Sequence, residues 1–362
     1  MIKLPEYGNC IANLACSILR YYGCDAPNPT LKQADQLLCR PYKNVVLLLL
    51  DGMGMSTLNE HLPNGFFCQN LRCSYSSTYP PTTVAATTAV MSGLYPNQSA
   101  WLGWVGYFAD IDRNVVYFLN KDNDTGEKLS GPSVAFTYVP YQDIFEPIAQ
   151  TGVQSHWLTS WLNPVCKTYG GMTDEIVRIC AQEGRQFVYA YWEEPDKSMH
   201  KKGVHAPEIH DLVNRLEEKT QYMADQLSDT LLLITADHGL VDAETILFHQ
   251  DQEMMDMMIR RPSMESRALN LFVKEECKVR FEALFAHRYG DRFQLLPMAQ
   301  VKEMHLFGTG VDHPRLASML GNYLAIATGD AVLRTKNEIH PADHGGLTED
   351  EMLIPLIAVE KR

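Results

Sequence analysis

No apolar run in this chain approaches the roughly 20 residues that a membrane-spanning helix needs. The longest strictly aliphatic stretch is Val45-Val46-Leu47-Leu48-Leu49-Leu50. The start, Met1-Ile2-Lys3-Leu4-Pro5-Glu6-Tyr7, brings an early acid and no apolar core, which predicts a chain without a secretory signal. No two cysteines have Cys-x-x-Cys spacing, and their number, nine, is odd; they scatter at residues 10, 16, 24, 39, 68, 73, 166, 180 and 277. That usage predicts reduced thiols in a cytoplasm. No run of Lys or Arg exceeds two residues, and the net charge is −13. Such a surface repels nucleic-acid polymers, so neither a membrane nor DNA or RNA is the expected partner. A small anionic substrate is still compatible, because bound metal ions reverse the local sign.

At 362 residues and 46% hydrophobic the chain can bury a full core. Apolar strands are expected at about 45–50, 133–138, 153–159, 186–191 and 230–235. Helical patterns fall between them at 83–92, 141–150, 173–183 and 206–228. That alternation predicts an α/β fold with a mostly parallel central sheet and helices on both faces. Residues 1–40 read as a helical lead-in, 41–240 with 340–362 as the core, and 241–339 as an inserted, smaller α+β cap. The Met-rich stretch Glu253–Met258 in the cap reads as packing.

Two distant fragments read alike: Thr235-Ala236-Asp237-His238-Gly239 and Pro341-Ala342-Asp343-His344-Gly345-Gly346. The first follows the apolar strand at 230–235. Glu194-Pro195-Asp196-Lys197-Ser198-Met199-His200 follows the strand at 186–191, and Asp51-Gly52-Met53-Gly54 follows the one at 45–50. In open parallel sheets the carboxyl ends of strands form the ligand crevice. Each fragment alone is ordinary, since Asp-Gly is a common turn and Asp196 with His200 a common helical pair. Together they predict a site for Zn²⁺ or Mn²⁺, because clustered carboxylates stay ionised most simply around cations. Two divalent ions against Asp51, Asp196 and Asp237 leave a charge near +1, which suits phosphate.

Tyr79-Pro80-Pro81-Thr82-Thr83-Val84-Ala85-Ala86 reads as an extended segment entering a helix near Thr83. Free amides and the helix dipole attract an anion there, and a hydroxyl at that point can act as a nucleophile on phosphorus. The plain alternative is that Thr82 or Thr83 only caps the helix.

The ordered set Leu-Asp-Gly, Tyr-Pro-x-x-Thr, Ser-Gly-Leu-Tyr-Pro, Glu-Pro-Asp-x-x-x-His, Ala-Asp-His-Gly and Asp-His-Gly-Gly resembles the alkaline phosphatase superfamily. Within it the closest likeness is to type I phosphodiesterases and nucleotide pyrophosphatases, over roughly residues 43–360. The resemblance implies an alkaline-phosphatase-like core. It implies one metal held by Asp196, His200 and His344, and a second held by Asp51, Asp237 and His238. Thr83 would touch the second ion and act as nucleophile through a phospho-threonine intermediate. It implies a small phosphorylated substrate, with a nucleotide as one class that fits. Nucleotide-cleaving members commonly carry Thr-Phe-Pro-Asn where this chain has Thr83-Val84-Ala85-Ala86, so an aromatic base platform and an Asn donor are missing. Val84 and Tyr191 are the expected substrate contacts; the neighbours of Thr83 supply no cation, and only the cap could bring one, Arg260 or Arg261, from afar. A phosphomutase or phosphomonoesterase of the same superfamily is the alternative enzyme, and a metal-stabilised binding protein the alternative without catalysis.

Overall fold

Six strands make the sheet that carries the site, in the spatial order Leu71–Ser76, Leu353–Lys361, Thr230–Thr235, Asn44–Leu50, Gln186–Trp192, Gln154–Leu158. The computed structural model describes all residues, 1–362. Leu353–Lys361 runs antiparallel to both neighbours, and the other strands share one direction. Asn44–Leu50, Gln186–Trp192 and Thr230–Thr235 are buried at every residue. Helices cover both faces of such strands, so they read as unbroken apolar runs rather than alternating ones. Their carboxyl ends are level, with Leu50 paired to Trp192 and Leu49 to Thr235. The segments that follow these strands therefore emerge side by side.

The expected elements along this sheet lie within a few residues of the observed ones, with one correction. Residues 133–138 do not form a strand; Val134–Tyr138 is a short helix whose cap, the Ser133 hydroxyl, accepts from the Phe136 amide. A short apolar run fits either period, and the neighbouring sheet already ends at Gln154–Leu158. The lead-in helix Ile11–Tyr21 packs against Thr83–Ser92, and its Ile11, Ala12, Leu14, Ile18 and Leu19 belong to the same 63-residue apolar cluster as the central strands.

A second sheet has seven antiparallel strands. Phe293–Pro297, Tyr323–Ala327, Ala268–Leu271 and Ser263–Glu265 come from the segment expected as a cap. Val105–Phe108, Arg113–Val116 and Lys121–Asp122 come from the stretch expected as core. Met264 pairs with Val105, which joins the two contributions. Met254, Met257 and Met258 pack with Phe248, Phe281 and Phe285 in an apolar cluster under this sheet.

One buried ion pair ties the two sheets together. Arg267 donates from Nε to Glu351 Oε1 at 2.7 Å and from Nη2 to Oε2 at 2.9 Å, both side chains being fully buried. Arg267 also donates to the carbonyls of Ala331 and Gly329, while Glu351 accepts from the Gly346 amide and the Thr348 hydroxyl. Removing one partner leaves a buried charge without compensation. Arg267→Ala is therefore expected to lower the stability to chemical denaturation by about 3–5 kcal/mol. An unchanged denaturation midpoint would refute that role.

Candidate active site

The level strand ends place Asp51 and Asp237 next to each other. The Asp51 backbone carbonyl accepts from the Asp196 amide at 2.9 Å, which draws the third aspartate in. Gly52 is required at this turn: its φ is +76°, and a Cβ there would meet Asp196 Cα at 2.9 Å. Ala342–Asp343 pairs antiparallel with Val241–Asp242, so the chain just before His344 lies against the chain just after His238. The two Asp-His-Gly fragments also share a local geometry. Asp237 Oδ1 accepts from the His238 amide at 3.0 Å, and Asp343 Oδ1 from the His344 amide at 2.9 Å. The two imidazoles stack with centroids 3.8 Å apart.

Two groups of possible metal ligands result, Asp51 with Asp237 and His238, and Asp196 with His200 and His344; within each, the ligand atoms lie within 4.8 Å of one another. The donor set fits a metal on two counts. Asp51 Oδ1, Asp196 Oδ1 and Asp237 Oδ2 are buried without a hydrogen-bond partner, and buried polar atoms of this kind need an explanation. Each histidine also spends Nδ1 on a backbone carbonyl: His200 on Ala342 (2.8 Å), His344 on Pro81 (3.1 Å) and His238 on Gly239 (3.1 Å). That fixes the tautomer and leaves Nε2 as the ligand atom. His200, His340 and Asp343 form a third such group. Asp343 is already engaged, however, with Arg334, the Ser266 hydroxyl and the His344 amide. It braces the turn.

The electrostatics have the same origin. Burial holds the Asp51 carboxyl well above its ordinary range, and Asp237 and Asp196 add to this. Burial lifts Asp237 to about 7. It depresses His238 to about 4 and His344 to about 3, so both are neutral and ready to ligate at neutral pH. Burial acts against ionising Asp196 too, but the facing His200 outweighs it and holds that carboxyl low.

Thr83 is the first residue of the helix Thr83–Ser92, with Thr82 at the cap position. The Thr82 hydroxyl turns away and donates to Glu265 Oε1 at 2.6 Å. Thr83 Oγ1 lies 3.4 Å from Asp51 Oδ2 and 3.3 Å from His238 Nε2. No hydrogen bond within the helix takes up the amides of Thr83, Val84 and Ala85, the arrangement that attracts an anion.

The structure thus brings Asp51, Thr83, Asp196, His200, Asp237, His238 and His344 to one place, and corrects the expected substrate contacts. Val84 is fully buried under the second sheet and does not line the cavity over the site. Tyr191 is also buried; its hydroxyl donates to Asp51 Oδ2, so it orients a carboxylate instead of offering a face. Arg260 is engaged with Asp112 and lies over the Tyr107 ring at 4.0 Å, away from the site. The cavity over the metal ligands, about 460 Å³, lies between the sheets and is lined instead by Trp104, Leu119, Lys121, Glu265, Arg334 and Lys336, among others. None of these was legible as a site residue, since they come from the strands and loops whose placement depends on the second sheet. The one available signal was the position of Lys336 and His340 just ahead of Asp343-His344.

Comparison with known proteins bears on the family and the fold. The family model described as type I phosphodiesterase/nucleotide pyrophosphatase matches residues 99–288, more than half of the chain. Among solved structures, human ectonucleotide pyrophosphatase/phosphodiesterase 5 superposes with a TM-score of 0.67 at 14% identity, covering 87% of each chain. The murine counterpart, as an inactive threonine-to-alanine variant in complex with AMP, gives 0.65 at 13% identity, again over 87% of each chain. No curated protein sequence matches significantly.

Proposed function

The chain belongs to the type I phosphodiesterase/nucleotide pyrophosphatase family of hydrolases, and we propose that it acts as a two-metal phosphodiesterase with Thr83 as its nucleophile. The observation that carries this reading is the placement of Thr83 Oγ1, 3.4 Å from Asp51 and 3.3 Å from His238 at an open helix amino terminus. Asp196, His200 and His344 would hold one ion, and Asp51, Asp237 and His238 the other, with Thr83 beside it. The mixed N/O set favours Zn²⁺, with Mn²⁺ as the alternative. When bound, the ions supply positive charge that lowers the hydroxyl pKa and offsets charge developing on the phosphoryl oxygens.

In this reading Thr83 Oγ loses its proton to water and attacks phosphorus, the bond from phosphorus to one ester oxygen breaks, and that oxygen takes a proton from water and leaves as the alcohol. The phosphoryl group, with its second ester arm, stays on Thr83, at the helix amides. Water then attacks phosphorus and frees the threonine, releasing a phosphate monoester. The murine relative supports both parts, since its inactive form is a threonine-to-alanine variant and its ligand is AMP. A small phosphorylated substrate such as a nucleotide diester follows by analogy. A cytoplasmic setting belongs to the same reading and rests on cysteine usage alone.

Substrate charge supplies the test. Of the cavity's cations, Arg334 is paired with Asp343, and the first turn after Thr83 contains only Val84, Ala85 and Ala86. That turn holds no cation beside Thr83 to offset the extra charge of a monoester dianion; Lys121 and Lys336 stand on the second-sheet side of the cavity, with Lys336 bonded to Asn123. Trp104 (40% exposed) and Leu119 offer apolar surface to a second ester arm. With Zn²⁺ or Mn²⁺ supplied, bis(p-nitrophenyl) phosphate is expected to exceed p-nitrophenyl phosphate in kcat/KM by at least about tenfold, a difference of about 1.4 kcal/mol. A monoester preference would overturn the diesterase assignment, and an isomerised product would point to a mutase.

A further inference from the structure

The cavity over the metal ligands has room for far more than a phosphoryl group, and Lys336 lines it on the second-sheet side together with Lys121. Lys336 follows the strand Ala331–Leu333 and is half-buried. Its Nζ donates to Asn123 Oδ1 at 2.8 Å, and Asn123, only 9% exposed, lines the same cavity. That bond holds the ammonium group in place and uses one of its three donors. No carboxylate pairs with the other two. Arg334 is the cation that Asp343 takes, and Asp122 spends Oδ1 on the amides of Asp124 and Thr125 and Oδ2 on Arg113. Asp124 does not line the cavity and accepts from Asn114. Glu338 lines it at an exposed position, and what meets Lys336 is its backbone amide, at the Lys336 carbonyl. We propose that Lys336, assisted by Lys121, binds an anionic group on the second ester arm, so that the preferred substrates are phosphodiesters whose arm carries a carboxylate or a phosphate. The proposal rests on the diesterase reading above.

Charge gives the reason. The chain carries 44 acids against 31 Lys and Arg, yet this lysine is drawn partly out of water with no acid beside it. Such a group loses solvation that an arriving anion offsets. Two anionic parts of one substrate then find separate partners: the central phosphate at the metal ligands and helix amides, and the end of the arm at Lys336. Trp104 and Leu119 are left to cover the linking atoms. An ammonium is a compact charge with rotatable donors, so it suits either carboxylate or phosphate. Lys336 belongs to neither group of metal ligands. Its contact is the same before and during bond breaking, so it lowers KM and leaves kcat largely alone. The contact makes Lys336 a specificity residue.

Matched p-nitrophenyl diesters supply the test, with 2-carboxyethyl, 2-phosphoethyl or the neutral 2-carbamoylethyl group as the second arm. Release of p-nitrophenol by the metal-supplied full-length protein gives kcat and KM for each. Wild type is expected to favour the charged arms over the carbamoyl arm by about tenfold in kcat/KM, mostly through KM, as one charge-assisted hydrogen bond would provide. The charged arm that gains more identifies the group bound. Lys336→Met should bring the ratio of charged to neutral arm close to one, and Lys121→Met should lower it in part. The proposal is overturned if wild type prefers neither charged arm, or if the preference survives in natively folded K336M. Melting temperature and metal content show whether a variant has kept its fold and ions, and Lys336→Gln replaces K336M if it has not. Diesters cleaved without regard to charge would refute Lys336 and leave the hydrolase reading standing. If no diester is cleaved, that reading fails, and calorimetric binding of the same compounds to wild type and K336M still judges Lys336.

Discussion

Thr83→Ala is expected to reduce kcat on a phosphodiester by at least about 10³-fold, since loss of a covalent nucleophile removes the pathway and leaves only what binding and electrostatics provide. Thr82→Ala should leave turnover measurable, because the Thr82 hydroxyl is committed to Glu265 and does not face Asp51 or His238. Metal content should survive Thr83→Ala, as three stronger ligands stay in each group. After brief exposure to substrate and an acid quench, wild type but not Thr83→Ala should carry phosphate on the peptide containing residue 83. If Thr82→Ala is the inactive variant instead, the nucleophile has been assigned to the wrong threonine.

Removal of the metals should have the second large effect, on activity and stability together. Without them Asp51, Asp196 and Asp237 crowd a buried site with unpartnered oxygens. Ions that bind only the folded state at a thousandfold excess over Kd add about 4 kcal/mol. With an unfolding entropy of about 2.1 cal/mol/K per residue, that corresponds to roughly 5 °C in Tm for a chain of this length. Chelation should therefore abolish turnover and lower Tm by about that amount, and Zn²⁺ or Mn²⁺ should restore both. His344→Ala should loosen one ion, whose group keeps only Asp196 and His200. The pH dependence has a definite sign. Asp237 is lifted by burial to about 7 in the metal-free site, so it must lose a proton to ligate, and metal affinity should fall as pH drops below 7. Elemental analysis finding no metal at neutral pH, with no activity on adding it, would defeat the two-metal reading.

Much of the site could be read from the chain because its ligands are covalently next to strongly patterned strands. Asp51 directly follows a fully apolar run, Asp237 stands two residues past another, and Asp196 and His200 sit one helical turn apart. Strand ends are local features, and a parallel sheet brings them to one edge. The helix at 83–92 was equally local, with prolines before it and Gly93, in the left-handed region at φ +73°, after it. The sequence by itself therefore determined the central strands of the sheet, the candidate metal-ligand groups and the residue at the helix entrance, but neither the edge strand Leu71–Ser76 nor the helical state of 134–138. Only the tertiary structure decided which way the neighbouring side chains point. Val84 is buried because the second sheet packs over its face of the helix, and Tyr191 turns its hydroxyl to Asp51. Strands at 105–122 pair with one at 263–265, and Glu265 meets Thr82 across more than 180 residues of chain. Such pairings depend on which sheet edges and faces are free once the core has formed, and no local periodicity encodes that.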